Sequence, residues 1–457
     1  MQLSHALRVT QGDVIALVGG GGKTTAMFRL ADELARPSPQ KMRVLTTTST
    51  RIFAAQIKRA PAHVTFDPEQ QTITDILPQL DRALVEHDYG LLIGQADPES
   101  GKAFGVSPEI IDTLALTGKF DVIINEADGS RMRPLKAPAD HEPVIPASTT
   151  LVVPVVGLDA LGQPLHDDTV HRAGRVSRLS GTPLGHPVTA ETVAAVLCHP
   201  EGGLKNIPAQ ARVVPLLNKA ESQDAQATAR QIANSLLEGD KIDEVVIGTV
   251  QKAAVPVVEV HGRTAAVILA AGGSSRFGSP KQLARWGEQT FIERVVEVAL
   301  ASQAGPVIVV LGAEVEQSRA TLAKYPVQVV INEDWAEGQS TSMKAGLAAL
   351  PPNISGALFL LVDLPGITPE IVNALIKRHR QTLAPLVWPE FKGKRGNPVL
   401  FDRRLFAELS QVSGDTGGRP VLMAYQAQAE RVEVTDEAVL MDFDRPEDLD
   451  GVGGMGF

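Results

Sequence analysis

The chain has 457 residues, a formal net charge of −10 and only 4% aromatic residues. An acidic chain poor in aromatic rings lacks the two common devices for holding nucleic acid, a basic phosphate-binding face and a base-stacking platform. No apolar run approaches the ~18 residues of a membrane span, and a lone cysteine, Cys198, excludes an internal disulfide or a cysteine-rich metal site.

The opening residues lack a basic segment followed by an apolar run, so a cytoplasmic protein is expected, with neither nucleic acid nor membrane as partner. At roughly 150 residues per domain, the length suggests about three structural units. Short β-branched runs alternate with helical segments, which predicts α/β architecture with helices covering parallel sheets. In the first half the predicted strands are Val14–Val18, Arg43–Thr46, Leu91–Gly94, Val122–Asn125, Leu151–Val156, Arg212–Leu217 and Glu244–Gly248. In the second half they are Ala265–Leu269, Pro306–Leu311, Val327–Ile331, Ala357–Val362 and Pro398–Phe401. Cys198 closes the run Thr-Val-Ala-Ala-Val-Leu-Cys and is expected at a buried helix position. A Pro-containing stretch from Ala253 to Arg263 separates the halves. The expected organisation is two tandem three-layer α/β domains, 1–255 and 262–457.

The first strand runs into Gly19, Gly20, Gly21 and Gly22, and then into a helix opening at Lys23-Thr24-Thr25. Leu17 stands where a strict Walker A loop has its first glycine, so this is the shorter Gly-x-x-Gly-Lys-Thr-Thr form. Backbone N–H groups and the helix N-terminus would cradle phosphates. Lys23 would reach the outer phosphates, and Thr24 would ligate Mg²⁺. The strand Val122–Asn125 ends in Glu126-Ala-Asp128, an acidic pair suited to the same metal. Asn218-Lys219-Ala-Glu221 is similar to the guanine-reading loop of GTPases with Glu in place of Asp, so ATP and GTP both remain open. The expected fold of this half is a P-loop-like NTPase.

The second Gly-rich turn is more specific. Strand Ala265–Leu269 leads into Ala271, Gly272, Gly273, Ser274, Ser275 and Arg276, then Gly-x-Pro-Lys281, without the Gly-x-Gly-x-x-Gly of a dinucleotide fold. The turn lets the backbone approach a phosphate chain, and Arg276 and Lys281 add cations for a pyrophosphate leaving group. Strand Leu358–Val362 ends at Asp363, where open α/β sheets bind ligands. Mg²⁺ asks for one or two carboxylates besides substrate phosphates, and Asp363, with Asp442 or Asp444, answers that need. Gln339-Ser340-Thr341 opens a helix in reach of base or ribose. Lys394-Arg-Gly-Asn397 and Gly414-Asp415-Thr-Gly-Gly-Arg419 are donor-rich loops fit for an acidic acceptor.

These motifs, from Ala265 to Gly451, resemble the MobA-like nucleotidyltransferase superfamily, and within it the molybdenum cofactor cytidylyltransferases. The resemblance implies a Rossmann-like nucleotidyltransferase fold, with CTP and Mo-molybdopterin as substrates and pyrophosphate as product. Ala271 in Ala-Ala-Gly resembles the cytidylyl branch, whereas Asn397 stands where relatives commonly have histidine. The first half carries Asn125-Glu-Ala-Asp-Gly-Ser-Arg-Met-Arg-Pro-Leu-Lys-Ala-Pro138 and Gly202-Gly-Leu-Lys-Asn-Ile-Pro208. It resembles the YqeC-like accessory family of selenium-dependent hydroxylases, although Ala173-Gly174 replaces the family's usual Pro-Glu after His171-Arg172. Together the halves imply a maturation enzyme serving an apo-molybdenum hydroxylase. Two further readings fit the same residues: a nucleotidyltransferase for a sugar or polyol phosphate, and a non-enzymatic chaperone that carries the cofactor.

Overall fold

The computed structural model describes residues 1–36, 41–97, 101–251, 254–273 and 277–449. The chain divides into two compact units, Met1–His261 and Gly262–Phe457.

The first unit is built on β1 (Asp13–Gly19), α1 (Lys23–Ala35), β2 (Val44–Thr48), β3 (His63–Thr65), α2 (Ile73–Glu86), β4 (Tyr89–Ile93), α3 (Pro108–Leu116), β5 (Val122–Glu126) and β6 (Leu151–Gly157). It continues with α4 (Ala173–Ser180), α5 (Ala190–Cys198), the interrupted β7 (Arg212–Val213 and Leu216–Asn218), α6 (Gln223–Leu236) and β8 (Glu244–Gly248). The strands pair in parallel in the order β3-β4-β2-β5-β1-β6-β7-β8. Val14, Ala16 and Val18 point to one face of β1 and Ile15 and Leu17 to the other, and all are buried. A parallel strand covered on both faces reads as such an unbroken apolar run. Helices α4, α5 and α6 pack Val176, Val193, Val196 and Ile232 onto Val156, Leu217 and Ile247. Helices α2 and α3 pack Ile76, Leu80, Ile111 and Leu114 onto Leu45 and Leu92.

The second unit comprises β9 (Val257–Ala270, entering this unit at Gly262), α7 (Phe291–Ala301), β10 (Val307–Leu311), α8 (Val315–Leu322), β11 (Gln328–Ile331) and α9 (Gln339–Ala348). After these come β12 (Ile354–Leu361), α10 (Pro369–Thr382), β13 (Leu386–Phe391), β14 (Val399–Asp402), α11 (Arg419–Tyr425) and β15 (Glu430–Glu433). The order is β11-β10-β9-β12-β14-β13-β15, with β14 antiparallel to its neighbours. This is a Rossmann-like three-layer arrangement. Ala266, Ile268 and Ala270 meet α7 and α10 through Phe291, Val295, Val372 and Leu375. Val267, Leu269 and Ala271 meet α9 and α11 through Met343, Leu347 and Leu422. From β9 the chain travels to one side, then crosses back to β12 on the other. Such a switch opens a crevice at the carboxyl ends of the strands.

Each predicted strand is present, with ends shifted by a few residues. The sequence reading omitted β3, β13 and β15. Strand β13 contains Pro389, which normally argues against a strand inside a sheet, and β15 is largely polar. The stretch from Ala253 to Arg263, expected to separate the halves, is strand from Val257 onward, because Val257, Val260 and His261 are buried. Cys198 is the last residue of α5 and only half-buried, because the helix ends there. No helix among the described residues is long and apolar enough to cross a membrane.

Gly346 shows how tightly α9 lies on the sheet. A Cβ there would collide with Val267 Cγ1 and come within 3.3 Å of Val310 Cγ2. Gly346→Ala should cost about 1–3 kcal/mol by overpacking. Gly174→Ala on α4, where nothing lies within 4 Å of the added Cβ, should be neutral or stabilising by less than about 1 kcal/mol. Urea unfolding of both variants checks the contrast.

Candidate functional site

Each unit gathers charged groups at the carboxyl ends of its strands. In the second unit, Ala271 follows β9, and its carbonyl accepts a hydrogen bond from the Ala313 N–H at 3.1 Å. A Cβ on Gly273 would lie 2.7 Å from the Trp335 ring, so that glycine permits a close approach between loop and indole. A Cβ on Gly272 would meet nothing within 4 Å. Ser274, Ser275 and Arg276 lie outside the described residues.

Lys281 is the centre of this site. Its Nζ lies 3.0 Å from Asp363 Oδ2 and 2.8 Å from Asp444 Oδ1. Burial pushes the ammonium pKa down, but the attraction of Asp363 and Asp444 outweighs it, and the net movement is upward. Asp363 sits just past β12, and its carbonyl accepts the Phe443 N–H at 3.2 Å, which draws the segment carrying Asp444 alongside. Asp363 Oδ1 is buried without a hydrogen-bond partner. Asp442 is exposed. No cluster of three or more His, Cys, Asp or Glu groups suited to a metal occurs among the described residues. An orphaned carboxylate oxygen nevertheless suits Mg²⁺, which fills its remaining positions with phosphate and water.

Helix α9 begins close by. Ser340 Oγ is buried and unpartnered. Asp415 Oδ1 accepts the Gln339 N–H at 3.1 Å, and the Gly414 carbonyl faces the Ser340 N–H at 3.4 Å. Asp415, expected to hold the acceptor, also caps α9 through Oδ1, because the first N–H groups of a helix need acceptors from outside it. Asn397 and Arg419 do line one cavity, of about 710 Å³. Trp388 and Arg395 line it too. Arg395 lies in a loop the sequence singled out, whereas Trp388 is masked by the neighbouring proline.

In the first unit the glycines behave differently from the expected cradle. The Gly19 N–H donates to Asp128 at 3.1 Å, Gly20 to the Val155 carbonyl at 2.8 Å and Gly21 to the Arg133 carbonyl at 3.0 Å. A Cβ on Gly19 or Gly20 would come within 2.5 Å of a backbone oxygen, and one on Gly22 within 2.6 Å of Asn218 Nδ2. These glycines therefore serve close packing. The first turn of α1 carries the N–H groups of Lys23, Thr24 and Thr25, and no side chain among the described residues caps it.

Lys23 folds back: its Nζ donates to the Gly19 carbonyl at 2.6 Å and lies 3.2 Å from Asp128 and 3.7 Å from Glu126. Thr24 Oγ1 donates to Glu126 at 2.7 Å. Burial pushes the Glu126 carboxyl up, against the pull of Lys23 and Thr24. Asn218 donates to the Gly21 carbonyl at 2.8 Å and accepts from the Lys219 and Val250 N–H groups. Lys219 Nζ pairs with Asp159 at 2.6 Å. A cavity of about 500 Å³ adjoins Gly22, Thr25, Asn218 and Lys219, large enough for a nucleoside.

A buried ion-pair chain that local sequence did not reveal supports this site. Asp128 pairs with Lys136 at 2.8 Å, Lys136 with Glu142 at 2.8 Å, and Glu142 with Arg172 at 2.7 Å. Residues Leu135–Lys136 pair in parallel with Val170–His171. Burial lowers the His171 imidazole pKa to about 4, helped by the charges of Arg172, Lys136 and Arg131.

Two family models match the chain: "YqeC protein" over residues 15–174 and "MobA-like NTP transferase domain" over residues 266–431. The uncharacterized protein YqeC of Escherichia coli (strain K12) is 34% identical over 239 residues, covering 52% of this chain and 88% of that protein. Nicotine blue oxidoreductase of Paenarthrobacter nicotinovorans is 32% identical over 190 residues, covering 40% of this chain and 93% of that protein. The molybdenum cofactor cytidylyltransferase of Escherichia coli (strain K12) is 25% identical over 186 residues, covering 40% of this chain and 92% of that protein.

Burial alone would raise the Glu142 pKa, but Arg172 and Lys136 hold it at about 2. A carboxylate depressed in the folded state stabilises the fold above its unfolded pKa and loses that contribution as pH falls. Glu142→Gln should therefore cost about 2–4 kcal/mol at pH 7. The deficit should stay constant down to about pH 5 and shrink as pH falls through 4.5 towards 2. Denaturant unfolding across pH tests this, and a deficit independent of pH below 4.5 would contradict it.

Proposed function

The chain belongs to the YqeC family through its first half and to the MobA-like NTP transferase family through its second, and from that premise we propose that the second unit transfers CMP from CTP to Mo-molybdopterin, releasing pyrophosphate. The observation that carries this reading is Lys281 held between Asp363 and Asp444, beside the Gly272–Gly273 turn, with one Asp363 oxygen left unpartnered.

The acceptor's terminal phosphate oxygen attacks the α-phosphorus of CTP. A new P–O bond forms, the α–β bridging bond breaks, and pyrophosphate leaves with the electron pair. Lys281 offsets negative charge that grows on the phosphates, and Arg276 would add to it. Asp363, with Asp444 or Asp442, would hold Mg²⁺, which supplies Lewis-acid stabilisation of phosphate charge. Ala271, Gly272, Gly273 and Ser340 would contact the nucleotide, a role the sequence also gives Ser274 and Ser275, and Asn397 and Arg419 would contact the acceptor. Positioning and charge stabilisation supply the catalysis, so no covalent nucleophile is needed. The named cytidylyltransferase among the relatives supports CTP.

The first unit, in this reading, is a P-loop-like domain that binds ATP or GTP with Mg²⁺. The N-terminal turn of α1 and Lys23 meet the phosphates, Thr24, Glu126 and Asp128 face the metal, and the nucleoside fills the cavity beside Asn218 and Lys219. Its role is accessory, in maturation or delivery to an apo-molybdenum hydroxylase, including selenium-dependent ones, in the cytoplasm. A second reading of the C-terminal unit, as an oxidoreductase, is favoured by its greater identity to nicotine blue oxidoreductase.

Pyrophosphate release is measured with Mo-molybdopterin and Mg²⁺, comparing CTP, GTP and ATP. The expected result is release with CTP alone, falling by roughly 10²–10³ in Asp363→Ala. Release with none of the three, together with reduction of nicotine blue, would replace this reading with the oxidoreductase one. In parallel, Lys23→Ala should weaken fluorescent ATP or GTP binding by more than about tenfold, whereas Asp363→Ala should leave that binding unchanged.

A further inference from the structure

The cavity of about 500 Å³ in the first unit lies at the carboxyl ends of three adjacent strands: Leu158 follows β6, Asn218 closes β7 and Thr249 follows β8. Gly21 and Gly22 form the part of its wall nearest Lys23. Asn218 ties that glycine turn to the rest of the cavity. Its Nδ2 donates to the Gly21 carbonyl at 2.8 Å, and its Oδ1 accepts the Lys219 N–H at 2.9 Å and the Val250 N–H at 3.0 Å. One side chain thus holds the glycine turn and the loops after β7 and β8 in register.

The charged groups in the wall are Asp159, Lys219 and Glu221, two carboxylates against one ammonium. Ionised carboxylates only accept hydrogen bonds, so a neutral group lying against them has to donate. Asp159 is already occupied: its Oδ2 pairs with Lys219 Nζ at 2.6 Å, and its Oδ1 fills the space that a Cβ on Gly157 would need. Glu221 rises from the turn after β7, where its N–H donates to the Lys219 carbonyl at 2.9 Å. Leu158 and Ala225 add apolar surface for a flat ring, and Thr249 and Gln251 add donors for a carbonyl.

These demands separate the two purines. Guanine presents its N1–H and a 2-amino N–H side by side, a fork that the two oxygens of one carboxylate accept together. Its 6-oxo group then asks for a donor next to that carboxylate. Adenine presents an acceptor, N1, beside its 6-amino donor. A carboxylate set against that edge gains one hydrogen bond and opposes the N1 lone pair.

We infer that this cavity reads guanine: Glu221 accepts the N1–H and the 2-amino group, and Asn218 is the positioning residue that keeps the base end of the cavity aligned with the glycine turn. The inference rests on the nucleotide reading of the first unit and narrows it from ATP or GTP to a guanosine nucleotide.

Competition against fluorescent GTP and fluorescent ATP on the full-length protein with Mg²⁺ tests it. Only the binding that Lys23→Ala removes is counted, which sets aside nucleotide held by the second unit. GTP should compete about tenfold or more better than ATP. ITP, which lacks the 2-amino group, should fall between them. Glu221→Gln should weaken GTP roughly tenfold, leave ATP within about threefold, and strengthen XTP, whose 2-oxo group calls for a donor. A residue that merely supported the loop would weaken all four nucleotides together, and that result would overturn the role given to Glu221. ATP that competes as well as GTP, with both lost in Lys23→Ala, would overturn the guanine inference and leave the nucleotide reading standing. Absence of Lys23-dependent binding of either probe would overturn both. The order of GTP, ITP and ATP is read on the parent protein, so it decides even where Glu221→Gln fails to fold.

Discussion

A lysine clamped between two carboxylates at the end of a parallel sheet is the interaction around which both halves of this protein are arranged. Lys23 lies between Glu126 and Asp128, and Lys281 between Asp363 and Asp444. Each lysine follows a Gly-rich turn after a central strand, and in each clamp a carboxylate comes from the strand that pairs beside it. The physical reason is common to both. A site for phosphate and a divalent cation has to keep unlike charges close while it is empty, and burying either alone is costly. Pairing them within the protein offsets part of that cost. On the proposed reading, an incoming nucleotide would exchange partners, its phosphates taking the lysine and its metal taking the carboxylates.

The turns themselves do different work from what their composition first implies. Glycine before a helix reads as a phosphate cradle, yet Gly19, Gly20 and Gly21 spend their N–H groups on Asp128, Val155 and Arg133. Their missing side chains let the turn lie against β6 and the segment around Pro134. On the proposed reading, what remains for an anion is the first turn of α1, uncapped by any described side chain, with its positive dipole end. In the second unit Gly273 makes room for Trp335 in the same way.

Much of this was legible because it is local. The apolar runs of β1, β5, β9 and β12 are buried on both faces, and such runs announce parallel strands whatever surrounds them. The acid at a strand's end is likewise visible, as with Asp363 and Glu126. Interactions that join distant residues were hidden. Nothing near Lys136 predicts that it bridges Asp128 and Glu142, or that Arg172 closes that chain. Asp415 reads as a ligand-binding residue in a donor-rich loop, and its capping of α9, far away in sequence, could not be read from that loop. Trp388 was obscured by Pro389, since a proline in an apolar run weakens the case for a strand. Strand β13 tolerates it because the Pro389 carbonyl still accepts the Gly396 N–H at 2.8 Å.

The two clamps differ in depth, and that difference sets how each site opens. The Lys23 and Asp128 side chains are each 2% exposed, and Asp128 is further tied to Lys136 and the Gly19 N–H. Releasing Lys23 therefore leaves charge in a poorly solvated place unless a ligand arrives at the same moment. Lys281 is 11% exposed and its partner Asp444 51% exposed, so water can follow the carboxylate as it turns away, and the exchange needs little else to move. The C-terminal clamp is the more solvent-exposed of the two. The N-terminal clamp, locked into a buried network that reaches through Lys136 and Glu142 to Arg172, couples any change at Lys23 to the segment carrying His171. On the proposed reading, that coupling would carry nucleotide binding at Lys23 to the segment holding His171.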